Sequence, residues 1–141
     1  MAFQNEEQQA LSDSTTSTED KKNTVIIGAT PNPTRYAYFA AQRLNQHDHP
    51  IIPVGIKKGQ VEKIDILDLR SRPSLSNVDT VTMYINPTHQ VEWEDYILSL
   101  NPKRIIFNPG TENPSFAARA NKRGIETLNA CTLVMLSTGT Y

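Results

Sequence analysis

The 141-residue sequence is poor in the residues and runs that define several large classes of protein. It has one cysteine, Cys131, so no internal disulfide can form, and no Cys/His cluster has the spacing of a zinc site. Both absences fit a reducing cytosol. It has no apolar run of the ~20 residues needed to span a bilayer, and residues 1–22 lack the apolar stretch of a secretory signal. It also lacks an excess of either charge, with Lys+Arg 14 against Asp+Glu 15. No overall field then favours nucleic acid or an anionic membrane, so any anion site must be local. The expectation is a cytoplasmic domain with a small-molecule ligand, no nucleic acid and no membrane. The length suits one domain that buries roughly two thirds of its unfolded surface.

Residues 4–22 are Glu, Gln, Ser, Thr, Asp and Lys with almost nothing to bury, and are expected to form a flexible polar tail, residues 1–22, ahead of a domain over 23–141. Val25, Ile26 and Ile27 then form a β-branched run suited to a strand buried on both faces, ending at Gly28. Tyr36, Phe39, Ala40 and Leu44 recur at helical spacing and predict a helix over 34–45. Ile51, Ile52, Pro53, Val54 and Gly55 predict a second strand, whose ladder is expected to stop at Pro53 for want of an N–H. A weak strand is placed over 64–67 and a clear one over 80–85, and Trp93, Tyr96, Ile97 and Leu100 predict a single helix over 88–100. Residues 104–107 predict a further strand. Asn113 and Pro114 supply a helix N-cap and first-turn proline, and Gly124 the residue after its end. At least one of the apolar runs 125–128 and 133–136 should be the last strand. This alternation means right-handed crossovers: an α/β, doubly wound, mostly parallel sheet, Rossmann-like, in a single domain.

In such sheets ligands sit beyond the carboxyl ends of the strands. Three predicted strand ends carry related turns, 28–33, 85–87 and 108–110. Of the nine prolines, Pro33, Pro87, Pro102, Pro109 and Pro114 follow an asparagine. Asn before Pro ends a strand sharply and puts polar groups at the rim, so the three turns together read as a ligand mouth. Gly28 allows close backbone approach, and a helix start behind the first loop favours an anion such as a phosphate. The dinucleotide fingerprint G-x-G-x-x-G is missing, as is an acid after the second strand. Lys57 and Lys58 stand there instead, cations suited to a phosphate on the ribose. Coenzyme A or NADP is favoured over NAD.

The run from Val25 to Pro33, the Pro53-Val54 pair, the Ile85-Asn86-Pro87 strand end and the late Gly124-Ile125-Glu126 resemble the stand-alone CoA-binding domain family. That family is similar to the nucleotide-binding domain of the succinyl-CoA synthetase alpha subunit. The resemblance spans roughly 23–136. It implies that Gly28, Ala29, Thr30, Asn32, Pro33, Thr34 and Arg35 hold the diphosphate of coenzyme A or an acyl-CoA. It also implies that Pro53, Val54 and Lys57 surround the adenosine, with Asn86 and Pro87 beside the nucleotide; Asn108 and Gly110 join the mouth on the turn reading alone, since Asn108-Pro109-Gly110 is unlike the family's more apolar version. Where the family often has Asn-Pro after its Pro-Val, this chain has Gly55-Ile56. The synthetase's phosphorylated histidine lies on a second domain, so the resemblance implies binding without the ligase reaction.

Other candidates are weighed beside these. His47 and His49 read as solvated loop residues, Arg70 and Arg72 as a solvated loop, Cys131 as a small buried hydrophobe, and Trp93 as part of a packed helix face. His89, near the mouth, lacks a recognisable partner acid. Two further readings stay open: an NADP-linked reductase or acyl-CoA-dependent enzyme using His89 or Cys131, and a regulatory module acting through residues 1–22.

Overall fold

The computed structural model describes residues 21–141. The expected flexible tail lies outside the described residues, except for Lys21 and Lys22. Those two join the domain: Lys21 Nζ donates to the His47 carbonyl at 3.1 Å and the Lys22 N–H to His49 Nδ1 at 3.0 Å.

Six parallel strands form the sheet: β1 (Thr24–Ile27), β2 (Ile51–Gly55), β5 (Leu67–Asp68), β6 (Thr80–Met83), β7 (Arg104–Phe107) and β8 (Glu126–Asn129). A small antiparallel pair, β3 (Gln60–Val61) and β4 (Ile64–Asp65), stands apart. The sheet order is β5-β2-β1-β6-β7-β8. The chain winds outward from β1 in one direction and then resumes on its other side at β6. This is the doubly wound, Rossmann-like arrangement, and the reversal lies between β1 and β6.

Alternation along the strands supplies both faces of the sheet with apolar groups. Val25, Ile27, Val81, Met83, Ile105 and Phe107 pack on one side with Trp93, Ile97 and Phe116. These come from the α2 (Pro87–Gln90), α3 (Glu94–Ser99) and α4 (Pro114–Lys122) region. Ile26 and Ile51 pack on the other side with Ala37, Ala41 and Leu44 of α1 (Tyr36–Gln46) and Leu136 of α5 (Thr132–Thr138). The small residues of α1 let it lie close to the sheet. Central strands β1, β6 and β7 are wholly buried, which is why they read as unbroken apolar or β-branched runs.

Several elements differ from expectation for identifiable reasons. The β2 ladder continues through Pro53, which pairs with Ile26, to Gly55 beside Asp68. Backbone groups of successive strand residues face opposite neighbours, and the Val54 carbonyl faces β1. Pro53 therefore faces the other way, and the β5 pairing starts only at Val54, so its missing N–H interrupts no bond. The stretch expected as one helix over 88–100 is α2, a 3₁₀ turn (Val91–Trp93) and α3. At the junction stands Gln90, whose buried side chain bonds to loop carbonyls instead of to solvent. The weak strand over 64–67 divides at Ile66 into β4 and β5. Residues 126–129 form the last strand, whereas 133–136 lie in α5. The α4 cap is as expected: Asn113 Oδ1 accepts the Phe116 N–H at 3.1 Å, Pro114 opens the helix, and Gly124 takes φ +80° beyond its end.

Candidate functional site

A cleft of about 1070 Å³ opens where the winding reverses, between the loops that follow β1, β2, β6 and β7. It is large enough for a nucleotide with an attached arm. The loop after β1 is its floor, and two glycines set the position of that loop. Gly28 has φ +101°, and a Cβ there would meet Ile85 Cγ2 and the Tyr84 carbonyl carbon, each at 3.0 Å. The constraint comes from the end of β6. Gly55 ends β2, and a Cβ on it would overlap the Ala29 carbonyl oxygen. The loop can rest on β2 only because position 55 has no side chain.

The N–H groups of Gly28 and Ala29 do not face an anion as expected. Both donate to the Val54 carbonyl, at 2.9 and 3.1 Å, so they tie the loop to β2. The rest of the loop folds on its own side chains. Thr30 Oγ1 accepts the Asn32 N–H at 3.1 Å, and Asn32 Oδ1 accepts the Thr34 N–H at 3.0 Å and its hydroxyl at 2.8 Å. This turn delivers the chain to α1, whose N-cap, Arg35, makes no side-chain capping bond. The first N–H groups of α1, from Tyr36 and Ala37, have no hydrogen-bond partner among the described residues, and both residues line the cleft. An uncapped helix start with its positive dipole end open to a cleft suits a phosphate or diphosphate.

Of the residues marked from sequence, Gly28, Ala29, Thr30, Asn32, Thr34, Arg35, Lys57, Asn86 and Gly110 line this one cleft. Pro53 and Val54 lie inside β2, and the Val54 side chain is wholly buried. Pro33 and Pro87 shape turns beside the cleft without lining it; Pro87 is the first residue of α2, capped by Asn86 Oδ1 on the His89 N–H at 3.1 Å. Asn108 lies beneath the cleft, only 3% exposed. Its Nδ2 donates to Thr82 Oγ1 at 2.7 Å and to the Met83 carbonyl at 2.9 Å, and its Oδ1 accepts the Thr132 N–H at 2.8 Å. It braces β6, β7 and the start of α5.

Gln90 plays a similar part for the rim. Fully buried, it donates from Nε2 to the carbonyls of Ile85 and Thr111, at 2.9 and 2.8 Å, and accepts from Asn113 Nδ2 at 2.8 Å. The loops after β6 and β7 are thereby held at fixed separation. Nothing in the sequence separates this glutamine from a solvated helix residue. Tyr84, Trp93, Thr111 and Gly55 also line the cleft, and only Gly55, a glycine at a strand end, carried a readable signal. Burial pushes the Tyr84 hydroxyl up to about 12, so it stays protonated and neutral.

The remaining candidates separate. His89 lines the cleft, and among the described residues no acid is hydrogen-bonded to its ring. Cys131 is half-buried at the N-cap of α5 and does not line the cleft. Trp93 belongs to the core, as expected, and Arg72 lies over its ring at 4.8 Å, so Arg72 is not merely solvated. Arg70 lines the cleft. His49 is buried, not solvated: it accepts the Lys22 N–H and lies against the Tyr141 ring, with centroids 4.8 Å apart.

A doubly wound parallel sheet, with an uncapped helix start, a glycine-permitted close approach and cations lining the cleft, has the arrangement of a nucleotide-binding domain. The model of the CoA binding domain family matches residues 22–137, and the chain belongs to that family. Coenzyme A binding, in general terms, is what membership supports. Among solved structures, an uncharacterised protein is 55% identical, with TM-score 0.83 over 86% of this chain and 98% of its own. A Thermus thermophilus protein is 16% identical, with TM-score 0.73 over 92% and 98% of the two chains. A hypothetical protein from Pyrococcus horikoshii OT3 is 20% identical, with TM-score 0.73 over 90% and 89%. The last two show the fold alone. A search of curated proteins gives no significant match. Among the described residues no helix is long and apolar enough to cross a membrane.

Proposed function

We propose that this protein holds coenzyme A or an acyl-CoA in the cleft between the loops after β1, β2, β6 and β7, and that binding is its whole chemical task. The observation that carries the reading is the uncapped start of α1, opening into the cleft behind the Thr30 to Arg35 turn. The diphosphate lies over that turn and the N–H groups of Tyr36 and Ala37, with Arg35 beside it. Lys57 meets the phosphate on the ribose, and the pantetheine arm runs toward Asn86 and Gly110. The cleft contains one histidine, His89, without a hydrogen-bonded acid among the described residues, and Cys131 lies outside it. Both points favour a binding role over acid-base or thiol chemistry.

Calorimetric titration with CoA, NADP and NAD tests the reading. CoA should bind with at least tenfold preference over NAD. A folded protein that shows no heat with CoA contradicts the reading, and preference for NADP with turnover of its reduced form replaces it with a reductase.

A further inference from the structure

Two of the cleft's cations come from neighbouring strand ends. Gly55 pairs with Asp68 at the carboxyl ends of the adjacent strands β2 and β5. Lys57 and Arg70 each stand two residues beyond that last pair, and both line the cleft. Neighbouring strands are ~4.8 Å apart, so two cations are delivered to one end of it. The acid in the cleft's lining, Glu92, belongs to the segment beside the same turn: Arg72 Nη2 donates to the Glu92 carbonyl at 3.4 Å, and the Arg72 guanidinium lies over the Trp93 ring at 4.8 Å.

Arg70 is also held in place. Asp68 Oδ1 accepts both the backbone N–H of Arg70 at 2.9 Å and its Nε–H at 3.0 Å, and so caps the 3₁₀ turn (Leu69–Ser71). Those two bonds hold the Asp68 carboxyl below the usual carboxylate range. Asp68 itself does not line the cleft. The pairing occupies the Nε edge of the guanidinium, and among the described residues its two Nη groups make no hydrogen bond. A guanidinium fixed at one edge keeps a planar pair of donors for a phosphate oxygen, which a freely rotating lysine does not.

We infer that Arg70, set by Asp68, is the residue that selects ligands bearing a phosphate monoester on the ribose, with Lys57 as its neighbour. This rests on the CoA reading above. Arg70 makes the contact and Asp68 positions it while capping the turn; the ion pair itself is exposed, and such surface pairs contribute little to stability.

The test is calorimetric titration of the wild type, Arg70→Gln and Asp68→Asn with CoA and with dephospho-CoA. Arg70→Gln should lower affinity for CoA about tenfold and for dephospho-CoA less than twofold. Asp68→Asn should lower the CoA preference about threefold, with thermal stability unchanged. An unchanged ratio of the two affinities in Arg70→Gln, or a wild type without preference, overturns the assignment while leaving CoA binding intact. A wild type that binds neither ligand overturns the CoA reading, and this assignment with it.

Discussion

Gly55 and Ala29 approach so closely that a methyl group on position 55 would occupy the space of the Ala29 carbonyl oxygen. The end of β2 is thus a seat for the loop after β1, and the same loop is fastened there by the Val54 carbonyl. Gly55→Ala should push the loop off its seat. We expect CoA affinity to fall at least tenfold and stability by about 1–3 kcal/mol, as for overpacking in a dense interior. Calorimetry with CoA and urea unfolding check the two parts; unchanged affinity would show that loop position does not govern binding.

Asn108 braces β6, β7 and α5 from below the cleft. Asn108→Ala strands the Thr132 N–H and the Met83 carbonyl in a buried setting. Stability should fall by about 2–4 kcal/mol. Measured under conditions where the variant is folded, its CoA affinity should change less than threefold. A large affinity loss without destabilisation would return Asn108 to the ligand.

His49 is held to a pKa of about 4 against its usual 6.5, first by burial and then by the nearby charges of Lys22 and Lys21. The folded state therefore keeps it neutral, while the unfolded chain takes up a proton below pH 6.5. The stability contribution is complete above pH 6.5 and is lost as pH falls toward 4. Urea unfolding at pH 7 and pH 4.5 should show the wild type losing about 1–2 kcal/mol more than His49→Asn. Parallel losses in the two proteins would show that His49 titrates normally.

Lys57 lines the cleft on a flexible stem at the end of β2. Lys57→Ala should weaken CoA about threefold and dephospho-CoA hardly at all, a smaller and selective effect fitting an exposed point charge. Raising salt from 50 to 300 mM should shrink the difference between wild type and variant. Equal weakening of both ligands would move Lys57 away from the ribose phosphate.

The sheet was legible because its central strands are buried on both faces: Val25 to Ile27, Val81 to Met83 and Ile105 to Phe107 had to be apolar or β-branched wherever they stood. The Asn113-Pro114 helix start was legible because a cap is local chemistry. What the sequence hid depends on contacts between distant residues. Gln90 is buried through its bond to Thr111, 21 positions away, and Asn108 turns inward to Thr132 when its Asn-Pro-Gly turn reads as rim. Pro53 sits in the ladder because β5 starts one residue late on that side. The loop after β1 lines the cleft, but its first two N–H groups are bonded to β2, and the N–H groups without a partner among the described residues lie later, at the start of α1.

We propose above all that the diphosphate of coenzyme A rests on the first turn of α1. Titration of ¹⁵N-labelled protein with CoA, followed through its amide resonances, tests it directly. Shifts should be largest at Thr30, Arg35, Tyr36 and Ala37 and extend to Lys57 and Gly110. A well-dispersed spectrum that does not change, or shifts centred instead on the separate groove lined by Arg72 to Leu75, Asp95, Tyr96, Ser99 and Leu100, would contradict this placement.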